Sequence, residues 1–272
     1  RITRGARSIT KAGVAGSGLV RRVRLGAAFV LLAYVCLHFT NHALGLLSLQ
    51  AMDAGRYWFL AIWRSPAGTA ALYGSMAVHG GLALWLLYQR QSLRMPLWEF
   101  WQYVIGLSLP VLLAGHVVGT RVNWWLNGSE DPYVRVLLGY TVIVPERGIR
   151  YGVILMLVWT HACIGLHYWL RFRPWYPKAK AWFLVVAVMI PMLALSGIVA
   201  GGRELAVQAR TPGWLGAQRE SAEETQRSNR TAGLSGRFVD GYLVALLVVF
   251  AARGIRSLWQ RRRSVRVSYP GG

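Results

Sequence analysis

Cysteine and acid are the scarce residues in this chain. Two cysteines occur among 272 residues, Cys36 and Cys163, and both sit inside apolar runs. Two thiols exclude a disulfide scaffold and any cluster bound by four thiolates within the chain. Asp and Glu number 10 against 31 Lys and Arg, a formal charge of +21. Such a balance attracts nucleic acid or anionic lipid. No compact basic module is present, and the charges flank long apolar runs, so lipid attraction and membrane orientation account for them better than nucleic acid does. The first apolar run does not read as a signal peptide. The basic first 24 residues lead into a full-length span with no small-residue cleavage site of the usual kind. No internal repeat stands out.

What the chain has in abundance is oil: 54% of its residues are hydrophobic, with 13 Trp. Six segments are long enough to cross about 30 Å of hydrocarbon, which takes roughly 20 helical residues. They lie near 25–48, 69–89, 101–121, 151–170, 181–201 and 238–258. The expected fold is therefore all-α, a polytopic six-transmembrane-helix bundle. Pro110 and Pro191 fall inside spans three and five and are expected to kink them, which membrane helices tolerate. With the N-terminus inside, segments 1–24, 90–100, 171–180 and 253–272 hold 19 of the 31 basic residues, and the three longer outer connections hold nearly all the acids. Positive-inside orientation then places both termini in the cytoplasm, in an inner membrane. The plan is a basic N-terminal segment (1–24), a membrane domain (25–258) and a cytoplasmic linker (259–272). In that linker Val265, Val267 and Tyr269 alternate with polar residues before Pro-Gly-Gly. The alternation predicts a strand and turn, the start of a following soluble domain.

Six histidines occur, His38, His42, His79, His116, His161 and His167, and every one falls in a predicted span. A lone histidine at membrane depth is more often a polar side chain hydrogen-bonded between helices. Six of six on four adjacent spans ask for a shared purpose, since ionisable groups in hydrocarbon are costly and mark functional sites. Imidazole is a strong ligand for haem iron, and a porphyrin fits between bundle helices. Four histidine-bearing helices therefore predict two bis-histidine haems. Small neighbours in "HGG" after His79, "AGH" before His116 and "HACIG" from His161 leave room for a ring, although they also serve helix packing. At about 1.5 Å per residue, His116 lies roughly 8 Å and His42 near 9 Å below the outer surface, with His38 one turn deeper. His79 and His161 both come near 16 Å, and His167 approaches the inner surface. Depth thus pairs span one with span three around an outer haem, and span two with span four around an inner one. His38 and His42 share a face and compete for one iron; His42 is placed first, with His38 as the alternative. Zinc would want carboxylate or thiolate company, and a proton relay would enlist Asp or Glu. The spans offer little of either. No C-x-x-C-H occurs, so the haems would be of b type, without covalent attachment.

The order of histidines, with "LAGHVVGTR" and "VWTHACIGLHYWLRF", resembles the dihaem cytochrome b anchors of succinate dehydrogenases and fumarate reductases. With "TNHALGLLSL", "LYQRQSLRMPLWEF" and "LRFRPWYPKA", spread over residues 29–201, it looks closer still to the membrane anchors of bacterial class III adenylate cyclases built on that plan. The tail "VRVSYPGG" is similar to the opening strand of a ferredoxin-type [2Fe–2S] domain, which in such cyclases lies between anchor and catalytic domain. The resemblance implies a redox-sensing anchor that exchanges electrons with membrane quinone and regulates a fused cytoplasmic cyclase. It carries the ligand role to His79, His116 and His161, and leaves His38 and His42 open. Dehydrogenase anchors typically have five spans and this chain has six, which points away from the respiratory enzyme itself. The cyclase's catalytic motifs are absent from these residues, so the covered region is regulatory rather than catalytic.

A quinone site is expected at the outer end of span three, at Arg121, Asn123, Trp124 and Trp125, with Arg94, Trp98 and Glu99 as an inner counterpart. Aromatic belts and orienting charges account for many such residues without a ligand. The expected partners are membrane lipids, quinone or quinol, the fused effector and, in a homodimer, a second copy of the chain. Three readings from different classes follow: a redox sensor, the electron-transfer subunit of a dehydrogenase-like complex, and a haem-free transporter or structural anchor. An optical spectrum separates the third from the others, and further chain after Gly272 separates the first two.

Overall fold

The structure is a computed structural model. It describes the backbone of residues 3–90, 92–218 and 222–267, and the side chains of 18–90, 92–218, 231 and 233–260. Among the described residues it is all helical. In chain order come α1 (Thr3–Ala43), a 3-10 turn (Leu44–Leu46), α2 (Leu49–Trp63), α3 (Pro66–Gln89) and α4 (Leu97–Val117). A π-helical turn (Val118–Val122) leads into α5 (Asn123–Asn127), and α6 (Tyr133–Leu137) into a second π-helical turn (Leu138–Ile143). Then follow α7 (Pro145–Leu170), α8 (Tyr176–Gln208), α9 (Trp214–Ala217) and α10 (Ala222–Val267).

Six helical stretches are long and apolar enough to cross a membrane: Gly18–Leu46, Pro66–Gln89, Leu97–Asn127, Pro145–Leu170, Tyr176–Gln208 and Gly233–Gln260. Each contains or largely overlaps one expected span, and together they are consistent with a polytopic membrane helix bundle. Their outward residues are apolar, with Leu184 65% and Leu247 69% exposed. In water that surface would be a liability; in hydrocarbon it costs nothing, while the helix satisfies every backbone group internally. α4 and α8 run through Pro110 and Pro191. Local chemistry sets several ends. Ser65 accepts a hydrogen bond from the Gly68 N–H at 3.0 Å, and Pro66 opens α3 where its missing N–H is not needed. Gly128, at φ 65°, closes α5 in the left-handed conformation that glycine takes without strain.

The chain divides into two compact units, one of residues 1–34, 60–93 and 245–272, the other of 35–59 and 94–244. In the first, Tyr34 meets Trp63 edge to face at 5.1 Å, and Leu72 and Leu87 are buried. Near the chain's end Arg256 lies over the Tyr88 ring at 5.2 Å. In the second, Leu49, Met52, Tyr133, Leu137, Leu138 and Leu205 form a core. α8 reaches that core through glycines. A Cβ on Gly197 would strike the His42 carbonyl oxygen, and one on Gly201 would lie 2.9 Å from Leu137. The end of α1 and α8 therefore meet backbone to backbone, the close approach that small residues permit in membrane helices.

Three stretches differ from the sequence expectation. Residues 49–63 and 133–143, expected as connections, are helical, because each is too short or too charged to register as a span yet packs an apolar face on the core. Val265 and Val267, expected on a strand, lie on α10. An alternating pair finds no neighbouring strand among the described residues, whereas a helix closes its own hydrogen bonds. Tyr269 and the Pro-Gly-Gly turn lie outside the described residues.

Candidate functional site

The last two turns of α1 carry His38 and His42 four residues apart, and so on one face. Their ring centres are 4.4 Å apart, edge to face. α4 brings His116 to 5.9 Å from His38. α2 contributes Phe59, 5.2 Å from His38, and the buried Phe39 packs between His42 and Trp159, at 6.4 and 5.8 Å. Three imidazoles separated by up to 78 residues in sequence thus share one aromatic-walled site in the second unit.

Polar groups orient this site from outside. The Tyr133 hydroxyl, on α6, is 2.9 Å from the His42 Nδ1. Asn41, only 4% exposed, donates from Nδ2 to the same hydroxyl at 2.7 Å. The Tyr133 N–H donates to the Asp53 Oδ1 at 3.0 Å, which fixes the start of α6 against α2. Arg56 then joins Asp53 and Glu130, at 3.1 Å each. Beyond His116, α4 loosens into its π-helical turn, and the Thr120 hydroxyl donates to the His116 carbonyl at 2.7 Å. Single turns of this kind recur at functional sites, where the extra residue re-aims a side chain. Tyr151 lies 5.8 Å from His116 and stacks on Tyr140 at 4.7 Å. Burial first, and then the Tyr151 phenol beside it, raises the Tyr140 phenol above the usual tyrosine range, so Tyr140 stays protonated.

The other histidines have different surroundings. His79, in the first unit, is followed by Gly80 and Gly81, where an added Cβ would enter open space. In the second unit, His161 sits against α4. A Cβ on Gly106 would come 2.6 Å from its Cε1, and Gln102, one turn earlier, donates to its carbonyl at 3.1 Å. His167 pairs through Nδ1 with the Tyr176 hydroxyl at 2.7 Å. Beside it Trp98 stacks on Tyr168 at 3.4 Å, with Arg171 over both rings. Of the expected quinone residues, Arg121 lies over Trp124 at 4.8 Å. Asn123 is turned inward, its Oδ1 accepting from Asn127 at 2.6 Å and from Thr231 at 3.5 Å. Trp125 is 74% exposed.

The donor set can be tested against haem. Two metal–imidazole bonds of about 2 Å, plus the depth of two rings, hold ring centres on opposite sides of one ion roughly 6 Å apart. His38 and His116 stand at that separation. No group of three or more His, Cys, Asp or Glu among the described residues is arranged to hold a bare metal ion. Two facing imidazoles are a donor set that haem iron would accept.

Sequence reading missed Tyr133, Asn41, Phe59, Gly106 and Gln102. Two carried a signal: Gln102 and Gly106 are spaced four apart on one helix face. Tyr133 lies in a short apolar stretch between spans, with nothing to mark it as a partner of His42. Comparison with protein-family models, with curated proteins and with solved structures finds no match to this chain.

Proposed function

We propose that this chain is a dihaem membrane cytochrome of b type that senses redox state and regulates a cytoplasmic effector. One observation carries the reading: His38, His42 and His116, expected from depth alone to share an outer site, lie together among aromatic side chains. Bound haem supplies a reversible one-electron couple whose potential the protein tunes through axial ligands, hydrogen bonds and burial. The chain's own residues do the rest. A span-one imidazole and His116 would hold one haem. Phe39, Phe59 and Trp159 keep water from the site. Asn41 and the Tyr133 hydroxyl hold the His42 ring in place. For the second haem, sequence depth names His79 and His161, and Gly106 gives the His161 ring its seat on α4.

A change of one charge in a low-dielectric interior is weakly screened, so it biases the balance between two conformations of the helices. α10, which carries the last apolar stretch, continues as helix to Val267 and is the route by which such a change would reach a cytoplasmic effector. By resemblance that effector is a class III adenylate cyclase, reached through a [2Fe–2S] domain. Membrane quinone is the electron partner, and Arg121 with Trp124 is the residue pair that favours an outer site for it. Basic residues place both termini in the cytoplasm of an inner-membrane protein.

The test is a reduced-minus-oxidised optical spectrum of the purified protein, with a haem-to-protein ratio. Two haems per chain are expected, both released by acidified solvent. A ratio near zero removes the reading, and a single haem removes half of it.

A further inference from the structure

We propose that Tyr133 is a positioning residue that gives the two span-one imidazoles different roles, holding His42 as a hydrogen-bond acceptor and leaving His38 to ligate opposite His116. The proposal rests on the haem reading above and decides what depth left open. A tyrosine hydroxyl has one proton to give. Asn41 donates to the Tyr133 oxygen at 2.7 Å, and the His42 Nδ1, 2.9 Å away, is the acceptor the structure places beside the hydroxyl's own proton.

The Asn41 amide lies against α2 on its other side. A Cβ on Gly55 would strike the Asn41 Oδ1, so that oxygen lies against the Gly55 backbone carbon. With Nδ1 accepting, a neutral His42 carries its ring hydrogen on Nε2. A protonated nitrogen has no lone pair for iron. Turning His42 into a ligand through Nε2 would move that hydrogen to Nδ1, and the buried Tyr133 hydroxyl would then have to turn its own proton away from the acceptor it now faces. His38 is under no such constraint from Tyr133, and its ring stands 5.9 Å from His116, the separation that one shared ion requires.

The arrangement has a directional consequence. Asp53 holds the Tyr133 N–H, and Arg56 ties Asp53 to Glu130, so the choice of ligand depends on how α6 is anchored beyond the spans.

The experiment uses the purified protein, its haem-to-protein ratio and the low-spin ferric electron-paramagnetic-resonance signals. His42→Ala should keep two haems. His38→Ala should fall to one, with the signal of the retained haem unchanged, which also reports an intact fold. Adding Tyr133→Phe to His38→Ala should restore part of the lost haem, because the released His42 can then offer Nε2; a residue that merely packs would restore none. Histidine 15N shifts of wild-type protein supply a measurement independent of any variant's folding: His42 should appear as the Nε2–H tautomer. Loss of a haem in His42→Ala with two kept in His38→Ala would overturn the ligand assignment. A double variant no better than His38→Ala, or a His42 with Nδ1–H, would remove the role of Tyr133. A wild-type protein without haem would remove the underlying reading itself, and so is distinguishable from both.

Discussion

At the scale of single residues, the seats of the histidines are made by neighbours that carry little chemistry. Gly106 is the clearest case. Its missing side chain lets the His161 ring lie against α4, and a methyl group there would come 2.6 Å from Cε1. Gly106→Ala forces the imidazole aside or pushes α4 from α7. Overpacking of this kind typically costs about 1–3 kcal/mol. The expected outcome is a lower unfolding midpoint in detergent and loss of the haem assigned to His161, with the His116 haem retained. An unchanged midpoint and two haems would show that the ring is not held where α4 meets it. "IGLSLP" reads as span, and the glycine reads as a packing residue. Its partner lies 55 positions away on another helix, and no local pattern names it.

At the scale of elements, the site is assembled by short pieces between the spans. α2 delivers Phe59 and Asp53, and α6 delivers Tyr133. Hydropathy cannot find such helices, because neither is long enough to cross hydrocarbon. The crossing of α8 with the end of α1 is the other decisive contact. Gly197 faces the His42 carbonyl, and Gly45 faces the Gly197 carbonyl, so each backbone occupies the space a side chain would need. Gly197→Val should separate the two helices and displace His42. A loss of about 1–3 kcal/mol or more is expected from strain at a close-packed site. Thermal unfolding followed with haem content checks it: the midpoint should fall, and the haem of the His116 site should be lost before the other. A midpoint equal to wild type would mean that the crossing has slack.

At the scale of the whole chain, the six long apolar helices among the described residues are those of a multi-pass membrane helix bundle by length and composition, and the basic residues supply its proposed orientation. Reporter fusions after residue 24, within 171–180 and after residue 260 should report cytoplasm, and one within 205–235 should report the outside. The bias behind this is 19 basic residues against 12, over loops of unequal length. An outside signal at the C-terminal fusion would remove the cytoplasmic effector along with the topology. If the orientation holds, activity of the full-length protein should differ between oxidised and reduced haems, and the difference should shrink in His116→Ala. Equal activity in both redox states would leave an anchor that carries haem without sensing through it.

The sequence by itself determined the helical class, the six spans and the confinement of every histidine to them, because each follows from local hydropathy and counting. Helical rise also gave the depth match of His38 and His42 with His116, since depth along a span needs no partner. Tertiary structure alone decided which faces meet. It turned His116 toward His38, brought Tyr133 from a connection between spans to the His42 Nδ1, and set glycines of α4 and α8 under His161 and His42. The physical reason is that a hydrogen bond or a backbone contact between distant segments leaves no periodic mark in either one. It depends on the rotation and crossing of helices, which packing sets.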